Sequence, residues 1–361
     1  MLKITRYPET KNKSLQVSSA ADNYLLNFLK ENEIPKGNLA LVNDRFGYLA
    51  CHTADWNPYS VIAFKSQEKA LRINFKNNNL ELADSHLLSP LDSFPEKLDV
   101  VLLRIPKSLD LFKLYLHQIH QASHENTVIL CSFMTKYFSK QMLKTAELFF
   151  EEVNQSLAWK KSRLLILKNP KSKQTVELLK SFQWQGLEIQ QYLGVFSADK
   201  VDYATQFLLN NIKLKQSEQT ILDLASGNGI IAASILNKYQ AQNWETPELH
   251  LIDDSFLAVA SSKFNLPGEK NHFHYSDDLE DFKDKSFDLV VSNPPFHFEY
   301  EINTEVTMDF FEQVYTVLKP NGRFILVFNR HLRYTTLLKR IFSKVDVMVD
   351  SPKFVVMECI K

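Results

Sequence analysis

The stretch Thr220-Ile221-Leu222-Asp223-Leu224-Ala225-Ser226-Gly227-Asn228-Gly229 decides the fold. TILDL is a short apolar run bounded by glycines, which reads as a buried strand. IIAASILNKY (230–239) has helical character and packs behind it. Working outward, PELHLID (247–253) reads as the next strand and SFLAVASSKFN (255–265) as the next helix, with Ser255 as its N-cap. HFHYS (272–276) and FDLVVS (287–292) follow as strands. MDFFEQVYTVL (308–318) is an amphipathic helix that Lys319-Pro320-Asn321-Gly322 stops. RFILVFN (323–329) is a strand, HLRYTTLLKRIF (331–342) a basic helix and KFVVMECI (353–360) a strand. Strands separated by helical patterns imply an open α/β sheet covered on both faces.

The N-terminal half shows the same order. NLALVND (38–44) and YSVIAF (59–64) read as strands, SQEKALRINFKNN (66–78) as a helix and LDVVLLRIPK (98–107) as a strand. SLDLFKLYLHQIH (108–120) follows as a helix and ENTVILCS (125–132) as a strand. LDVVLLRIPK holds the place that FDLVVSNPPF holds downstream. This is the pattern of an internal repeat whose first copy lacks the glycine loop and the Asn-Pro-Pro-Phe. We expect two α/β units, 1–190 and 191–361, linked near residues 170–195.

Composition fits a soluble globular protein: 45% hydrophobic and 23% charged residues. No run of 18 apolar residues marks a transmembrane segment, and the first residues lack the apolar centre of a secretory signal. Cys51, Cys131 and Cys359 form neither a disulfide framework nor a metal-ligand spacing. We therefore expect a cytoplasmic monomer without metal. Net charge is zero overall, but the halves differ. Residues 1–195 carry 25 Lys plus Arg against 19 Asp plus Glu; residues 196–361 carry 17 against 23. Lys160, Lys161, Arg163, Lys168, Lys171 and Lys173 cluster with no acid between Val153 and Val176. Such a cluster can neutralise phosphates, or it is a solvated hairpin.

The candidate chemistry sits at successive strand ends on one edge of the sheet, where open sheets place ligands. Gly227 and Gly229 permit a tight turn and close approach of a ligand to the backbone. Asp223 before them suits a ligand with an ammonium group better than a pyrophosphate. The competing reading is a plain strand-to-helix turn. Asp253 can accept both hydroxyls of a ribose, or cap the next helix. Asp277 can accept an adenine amine, or belong to an ordinary charged loop. Phe196 and Ser197, with Asp202, can roof a cofactor, or form a packed linker. At Asn293-Pro294-Pro295-Phe296, two prolines stiffen the chain, and the Asn293 amide and Pro294 carbonyl can both accept from one flat –NH₂ group. That orients the nitrogen lone pair toward an electrophilic methyl. Phe296 offers a face for stacking a base.

With these residues in place, the chain resembles the two-domain ribosomal RNA guanine-N2 methyltransferases, and within them the large-subunit branch. The resemblance runs through LALVNDRFGYLAC, AWKKSRLL (158–165), GVFS (194–197), LIDDSFLAVASSKFN (251–265), VVSNPPFH (290–297), FNRHLRY and KFVVMECIK. It implies two tandem Rossmann-like methyltransferase-type domains, the first a degenerate copy that assists RNA recognition. It implies S-adenosyl-L-methionine as cofactor, held by Asp223, Ala225, Gly227 and Gly229 at its methionine part, by Asp253 at the ribose and by Asp277 at the adenine. Phe196, Ser197 and Asn293 complete that set. Asn293, Pro294, Pro295 and Phe296 are the implied catalytic segment, and 23S ribosomal RNA or a large-subunit assembly intermediate the implied partner. The rival readings are a small-subunit (16S) guanine-N2 enzyme, a methyltransferase for adenine N6 or a protein glutamine, and an inactive RNA-binding scaffold. The family's loop begins D-x-G; here Ala225 stands at that first glycine. Alanine there is expected to hold φ below zero and to alter cofactor affinity.

Overall fold

The computed structural model describes residues 2–10, 12, 14–173, 175–197, 200–282, 287–294 and 304–361, with side chains in the last segment from 307 onward. The chain divides into two compact units, Met1–Leu178 and Leu179–Lys361.

Unit 1 contains β1 (Leu39–Val42), β2 (Tyr59–Val61), β3 (Leu87–Leu88), β4 (Val100–Arg104), β5 (Val128–Met134), β6 (Phe150–Gln155) and β7 (Ser162–Pro170). Its sheet order is β3-β2-β1-β4-β5-β7-β6, with β1 to β5 parallel and β7 and β6 antiparallel. Helices α1 (Ala20–Glu31), α2 (Tyr48–His52), α3 (Lys65–Asn77), α4 (Leu109–Ala122) and α5 (Lys140–Glu147) accompany it. Leu25 and Leu29 of α1, Leu49 of α2 and Leu71 and Phe75 of α3 share one core with Leu39, Leu41, Val100 and Leu102.

Unit 2 opens with an antiparallel hairpin, β8 (Leu179–Trp184) and β9 (Leu187–Tyr192), then α6 (Tyr203–Asn211). The region expected to be a link is therefore partly folded. Its turn places Gln185 and Gly186 at φ 46° and 83°, the left-handed pair that two-residue hairpin turns use. The main sheet follows with β10 (Thr220–Leu224), α7 (Ile230–Ala241), β11 (Glu248–Asp253), α8 (Phe256–Asn265) and β12 (Asn271–Tyr275). It continues with β13 (Phe287–Ser292), α9 (Thr304–Val317), β14 (Leu318–Asn329), α10 (Thr335–Ile341), β15 (Lys344–Asp350) and β16 (Phe354–Ile360). The order β12-β11-β10-β13-β14-β16-β15 repeats that of unit 1, strand for strand. The repeat read in the sequence is thus a repeat of topology.

Period-two alternation sorts the central strands onto both faces. Ile221, Leu289, Val291, Ile325 and Val327 pack with Leu208 of α6 and Ile231 and Ile235 of α7. Leu222, Leu224, Val290, Phe324 and Leu326 pack with Phe311 and Val314 of α9 and Leu338 of α10. Two buried faces explain why these strands read as unbroken apolar runs.

Three local expectations change. Lys319-Pro320-Asn321-Gly322 does not form a free turn: α9 ends at Val317 and β14 starts at Leu318. The four residues make an irregular strand entrance, with Asn321 at φ 63° and a register shift between Phe287 and Leu289. The helix expected over 331–342 shortens to Thr335–Ile341, because Arg333 takes φ 52° and breaks it from the 3-10 turn Arg330–Leu332. The edge strand Lys344–Asp350 was not foreseen, since its half-exposed pattern carries little apolar signal. Among the described residues, no helix is long and apolar enough to cross a membrane.

Candidate active site

β10, β11 and β13 end side by side: Leu224 pairs with Ile252 on one flank and Ser292 on the other. This brings the loop 225–229, Asp253 and Asn293 to one edge of unit 2. The Ser292 hydroxyl donates to the Leu224 carbonyl (2.6 Å), which locks β13 to β10 just before Asn293.

Asp223 is buried on β10, and its Oδ2 accepts from the Ala232 N–H in the first turn of α7 (3.0 Å). Its Oδ1 and the hydroxyl of buried Ser226 meet no hydrogen-bond partner among the described residues. Burial pushes the Asp223 carboxyl well above the usual carboxylate range; the Ala232 N–H opposes that and nearby Asp253 adds to it. Buried oxygens without partners are costly, and an ammonium-bearing ligand supplies the missing donors.

The two loop glycines have different reasons. Gly227 has φ 56°, and a methyl added to it would meet nothing within 4 Å. Gly229 has φ 80°, and its methyl would run into Leu266 (2.9 Å), Ser262 (3.0 Å) and Leu251 (3.1 Å). Gly227 thus opens space toward the cleft, while Gly229 lets α7 and α8 pack. Ala225 corrects the expectation drawn from its side chain: it sits at φ 59°, not below zero. The strand end has to turn sharply there, and the left-handed conformation costs an alanine about 1–2 kcal/mol.

Asp253 ends β11 and grips the loop. Its Oδ2 accepts from Gly227 N–H (2.8 Å) and its Oδ1 from Ser255 N–H (2.8 Å). Burial raises its pKa, and these two N–H groups hold the rise back. Each carboxylate oxygen keeps a second lone pair for a ligand hydroxyl. Ser255 caps α8 as expected, accepting from Ala258 N–H (3.3 Å). Asp277 lies half-buried in the loop after β12.

The hairpin and α6 close the other side. Gln191 Oε1 accepts from Asn228 Nδ2 (2.5 Å), and Asn265 Nδ2 donates to the Asn228 carbonyl (2.8 Å). The glycine loop is therefore held from β9 and from α8. Phe182, Phe196, Ser197, Ala225, Gly227 and Asn293 all line one cleft, with about 60 Å³ of room for water. Phe196 is 71% exposed above it, and Ser197 stands at φ 63° with its hydroxyl on the Lys200 carbonyl. Asp223, Asp253, Asp277 and Gly229 are not among that cleft's walls.

Asn293 is half-buried, and its Nδ2 donates to Asp202 Oδ2 (3.2 Å) and Thr205 Oγ1 (2.9 Å). Asp202 caps α6, accepting from Ala204 and Thr205 N–H (2.9 and 3.3 Å). The cap of one helix thus fixes the amide of another segment through its Nδ2, and the carbonyl Oδ1 takes no part in those two bonds. Thr205 escaped the sequence reading; nothing in YATQFLLNN marks it. Pro294 is buried, while Pro295, Phe296 and His297 lie outside the described residues.

A roomier hollow, about 520 Å³, lies in unit 1 between the start of α1 and the tip of the β6–β7 hairpin. Asn23, Asn27, Trp159 and Lys160 line it. At that tip Trp159 and Ser162 exchange backbone hydrogen bonds (2.9 and 2.8 Å) around Lys160 and Lys161, at φ 46° and 63°. Lys160 and Lys161 of the basic cluster thus form a hairpin tip, while Arg163 and Lys168 lie along β7 and Lys171 and Lys173 follow its far end.

Comparison with known proteins adds four findings. Residues 1–173 match the family model described as the RLMG N-terminal domain, and residues 186–358 match that of the Methyltransferase small domain. The "Ribosomal RNA large subunit methyltransferase G" of Streptomyces coelicolor is 31% identical over 374 residues, covering 99% of this chain and 97% of that one. The protein of the same name from Psychromonas ingrahamii is 29% identical over 376 residues, covering 100% and 97%. A solved T. thermophilus 16S rRNA N2 G1207 methyltransferase, in complex with AdoMet and guanosine, shares the fold. Its TM-score is 0.78 at 19% identity, covering 100% of this chain and 98% of that one.

Proposed function

This chain belongs to the ribosomal RNA large subunit methyltransferase G family, and on that premise we propose how its residues do the family's work. Unit 2 transfers a methyl group from S-adenosyl-L-methionine to the exocyclic N2 of a guanosine in 23S ribosomal RNA. When bound, the cofactor supplies an electrophilic methyl on a sulfonium. The observation that carries the reading is the fixed amide of Asn293 at the strand edge that also holds the buried carboxyl of Asp223, whose Oδ1 has no partner among the described residues.

Asp223 Oδ1 receives the ammonium of the methionine part, which favours the ionised carboxylate and relieves the cost of its burial. Gly227 gives the backbone room to approach, and the spare lone pairs of Asp253 accept ribose hydroxyls. On this reading Asp277 receives the adenine amine. Asn293 Oδ1 and the Pro294 carbonyl accept the two hydrogens of the guanine amine. That turns the nitrogen lone pair toward the methyl and steadies the positive charge as the bond forms. No strong base is needed if the proton leaves after transfer. Phe296 supplies the stacking face for the base. Asp202 and Thr205 act through Asn293, as positioning residues.

Unit 1 supports the RNA. Its hairpin tip presents Lys160 and Lys161 in a left-handed pair that favours asparagine and glycine instead, so the lysines sit there against backbone preference. Lys160 Nζ lies 4.6 Å from the Trp159 ring centre, and Tyr24 lies 5.6 Å from the same ring. Cations beside an aromatic face suit a single-stranded nucleotide. On this reading the protein works in the cytoplasm, on RNA or on an assembling subunit.

The test is methyl transfer to ribosomal RNA from cells lacking the gene, followed by site mapping. N2-methylguanosine in 23S RNA is expected. N6-methyladenosine, or product in 16S RNA alone, overturns the assignment. Asn293→Ala is expected to cut transfer at least about tenfold while cofactor and RNA affinities stay within about threefold.

A further inference from the structure

At the far end of β11 from Asp253, three side chains meet that the methyl-transfer site does not use. Glu248 and His250 are two residues apart on β11 and so share a face of the sheet. His272 on β12 is the cross-strand partner of His250. Glu248 Oε1 lies 3.0 Å from His250 Nε2 and 3.1 Å from His272 Nε2, and one ligand atom from each residue falls within 4.8 Å of the others. A tetrahedral zinc ion with bonds of about 2.0–2.1 Å separates its ligand atoms by roughly 3.3 Å, so the two distances from Glu248 Oε1 stand close to its edges.

The surroundings fit as well. His250 Nδ1 lies 3.1 Å from His274 Nε2, so its second nitrogen has a partner that holds the ring with Nε2 on the side of the cluster. His250 is 2% exposed, and Phe282 and Phe287 stand edge-on to it at 5.9 and 5.2 Å, which forms an apolar wall. Glu248 and His272 are half-exposed, which leaves solvent room to complete the coordination. Cys51, Cys131 and Cys359 do not compete: all are buried, and burial pushes each thiol upward, Cys51 to about 12.

We propose that Glu248, His250 and His272 form a binding site for a divalent transition ion of the zinc type. Imidazole nitrogens with one carboxylate favour such ions over calcium or magnesium. Five residues of strand, about 16 Å, separate Glu248 from Asp253, so the ion is no part of the methyl-transfer site. It ties the edge strand β12 to β11, giving an outer strand a cross-link that its backbone ladder alone lacks. The inference does not depend on which RNA the protein modifies.

The experiment uses the full chain without a histidine tag, stripped with chelator and titrated with Zn²⁺ by calorimetry. One equivalent is expected, with a Kd below about 10 µM and a higher unfolding temperature at saturation. His272→Ala and Glu248→Gln, both at half-exposed positions, are each expected to weaken binding at least about tenfold and to remain folded. Co²⁺ is expected to give the visible spectrum of a low-coordinate site in the parent and to lose it in His272→Ala. No heat at about 100 µM Zn²⁺ overturns the proposal. So does binding that His272→Ala leaves unchanged, since the ion then sits elsewhere.

Discussion

Val42 and Leu224 end the first main-sheet strand of their units, and each is followed by a left-handed residue, Asn43 (φ 62°) and Ala225 (φ 59°). Five residues then lead to a helix in both. The fifth is glycine each time, Gly47 and Gly229, and in both a methyl would strike neighbouring side chains; at Gly47 it would lie 2.6 Å from Leu71 Cδ1. Unit 1 was expected to lack the glycine loop; it keeps a loop of the same length with one of the two glycines. What it has lost is the opening. Arg45 stands where Gly227 leaves space. Strand register places Ile62 opposite the role of Asp253, and Arg104, paired with Asp22 at 3.6 Å, in the position of Asn293.

The acids differ most instructively. In unit 2 Asp223 reaches the third N–H of the helix from the strand and keeps one oxygen without a partner among the described residues. In unit 1 the equivalent N–H, Ala50, is taken by Asp44 from within the loop (2.8 Å), with Tyr48 and Leu49 N–H groups also on that carboxylate. The same helix end is capped, but the carboxylate is spent on it. A fold of this kind survives when ligand contacts go, because the glycine that serves packing and the one that serves the ligand are different residues.

The largest expected effect breaks this distinction. Gly227→Arg, which installs the unit 1 residue, should weaken S-adenosylmethionine binding at least about a hundredfold in calorimetry, about 2.7 kcal/mol. Gly227→Ala carries the same backbone cost with little bulk. An equal loss in both would show strain, not occupied space, as the cause. Next, Gly229→Ala and Gly47→Ala should each destabilise their unit by about 2–3 kcal/mol in denaturant melts, from left-handed strain and overlap together. A loss at one position alone would break their equivalence.

Asp44 supplies a pH test. Burial raises its carboxyl from 3.8 to about 7, and neighbouring Asp22 adds to that. The folded state holds a proton that the unfolded chain has lost, so stability falls as pH rises from about 4 to 7 and the penalty is complete above that. Asp44→Asn removes the charge and keeps an acceptor for Ala50. It should stabilise unit 1 more at pH 8 than at pH 5, by about 2–3 kcal/mol at most, in paired thermal melts. The smallest effect is Ala225→Gly. It should raise stability by about 0.5–1 kcal/mol and leave the cofactor Kd within about threefold. A large gain in affinity would show that the Ala225 methyl, not its backbone, limits binding.

Much of this was legible because buried parallel strands write themselves as apolar runs. TILDL and FDLVVS match β10 and β13 residue for residue. The hairpin β8–β9 was not, because LKSFQW and LEIQQY alternate half-exposed residues that look like linker. The strand ends named Asp223 and Asn293 as candidates. The partners that orient Asn293 lie about 90 residues earlier: Asp202 was legible only as a possible cofactor roof, and Thr205 carries no motif of its own. Glu248, His250 and His272 were silent for a related reason. Two short strands must first be paired in register before E-L-H and H-F-H become one cluster.

The β8–β9 hairpin has a further consequence, for inheritance rather than for catalysis. Ile189 is buried in the unit 2 core, Gln190 and Tyr192 bond to Asn265 and Ser261, and Gln191 reaches the glycine loop. A catalytic unit excised after this hairpin would carry every motif residue and still lose the strap across its loop. The smallest piece that can be passed on intact begins by Leu179, ahead of anything that looks like an enzyme.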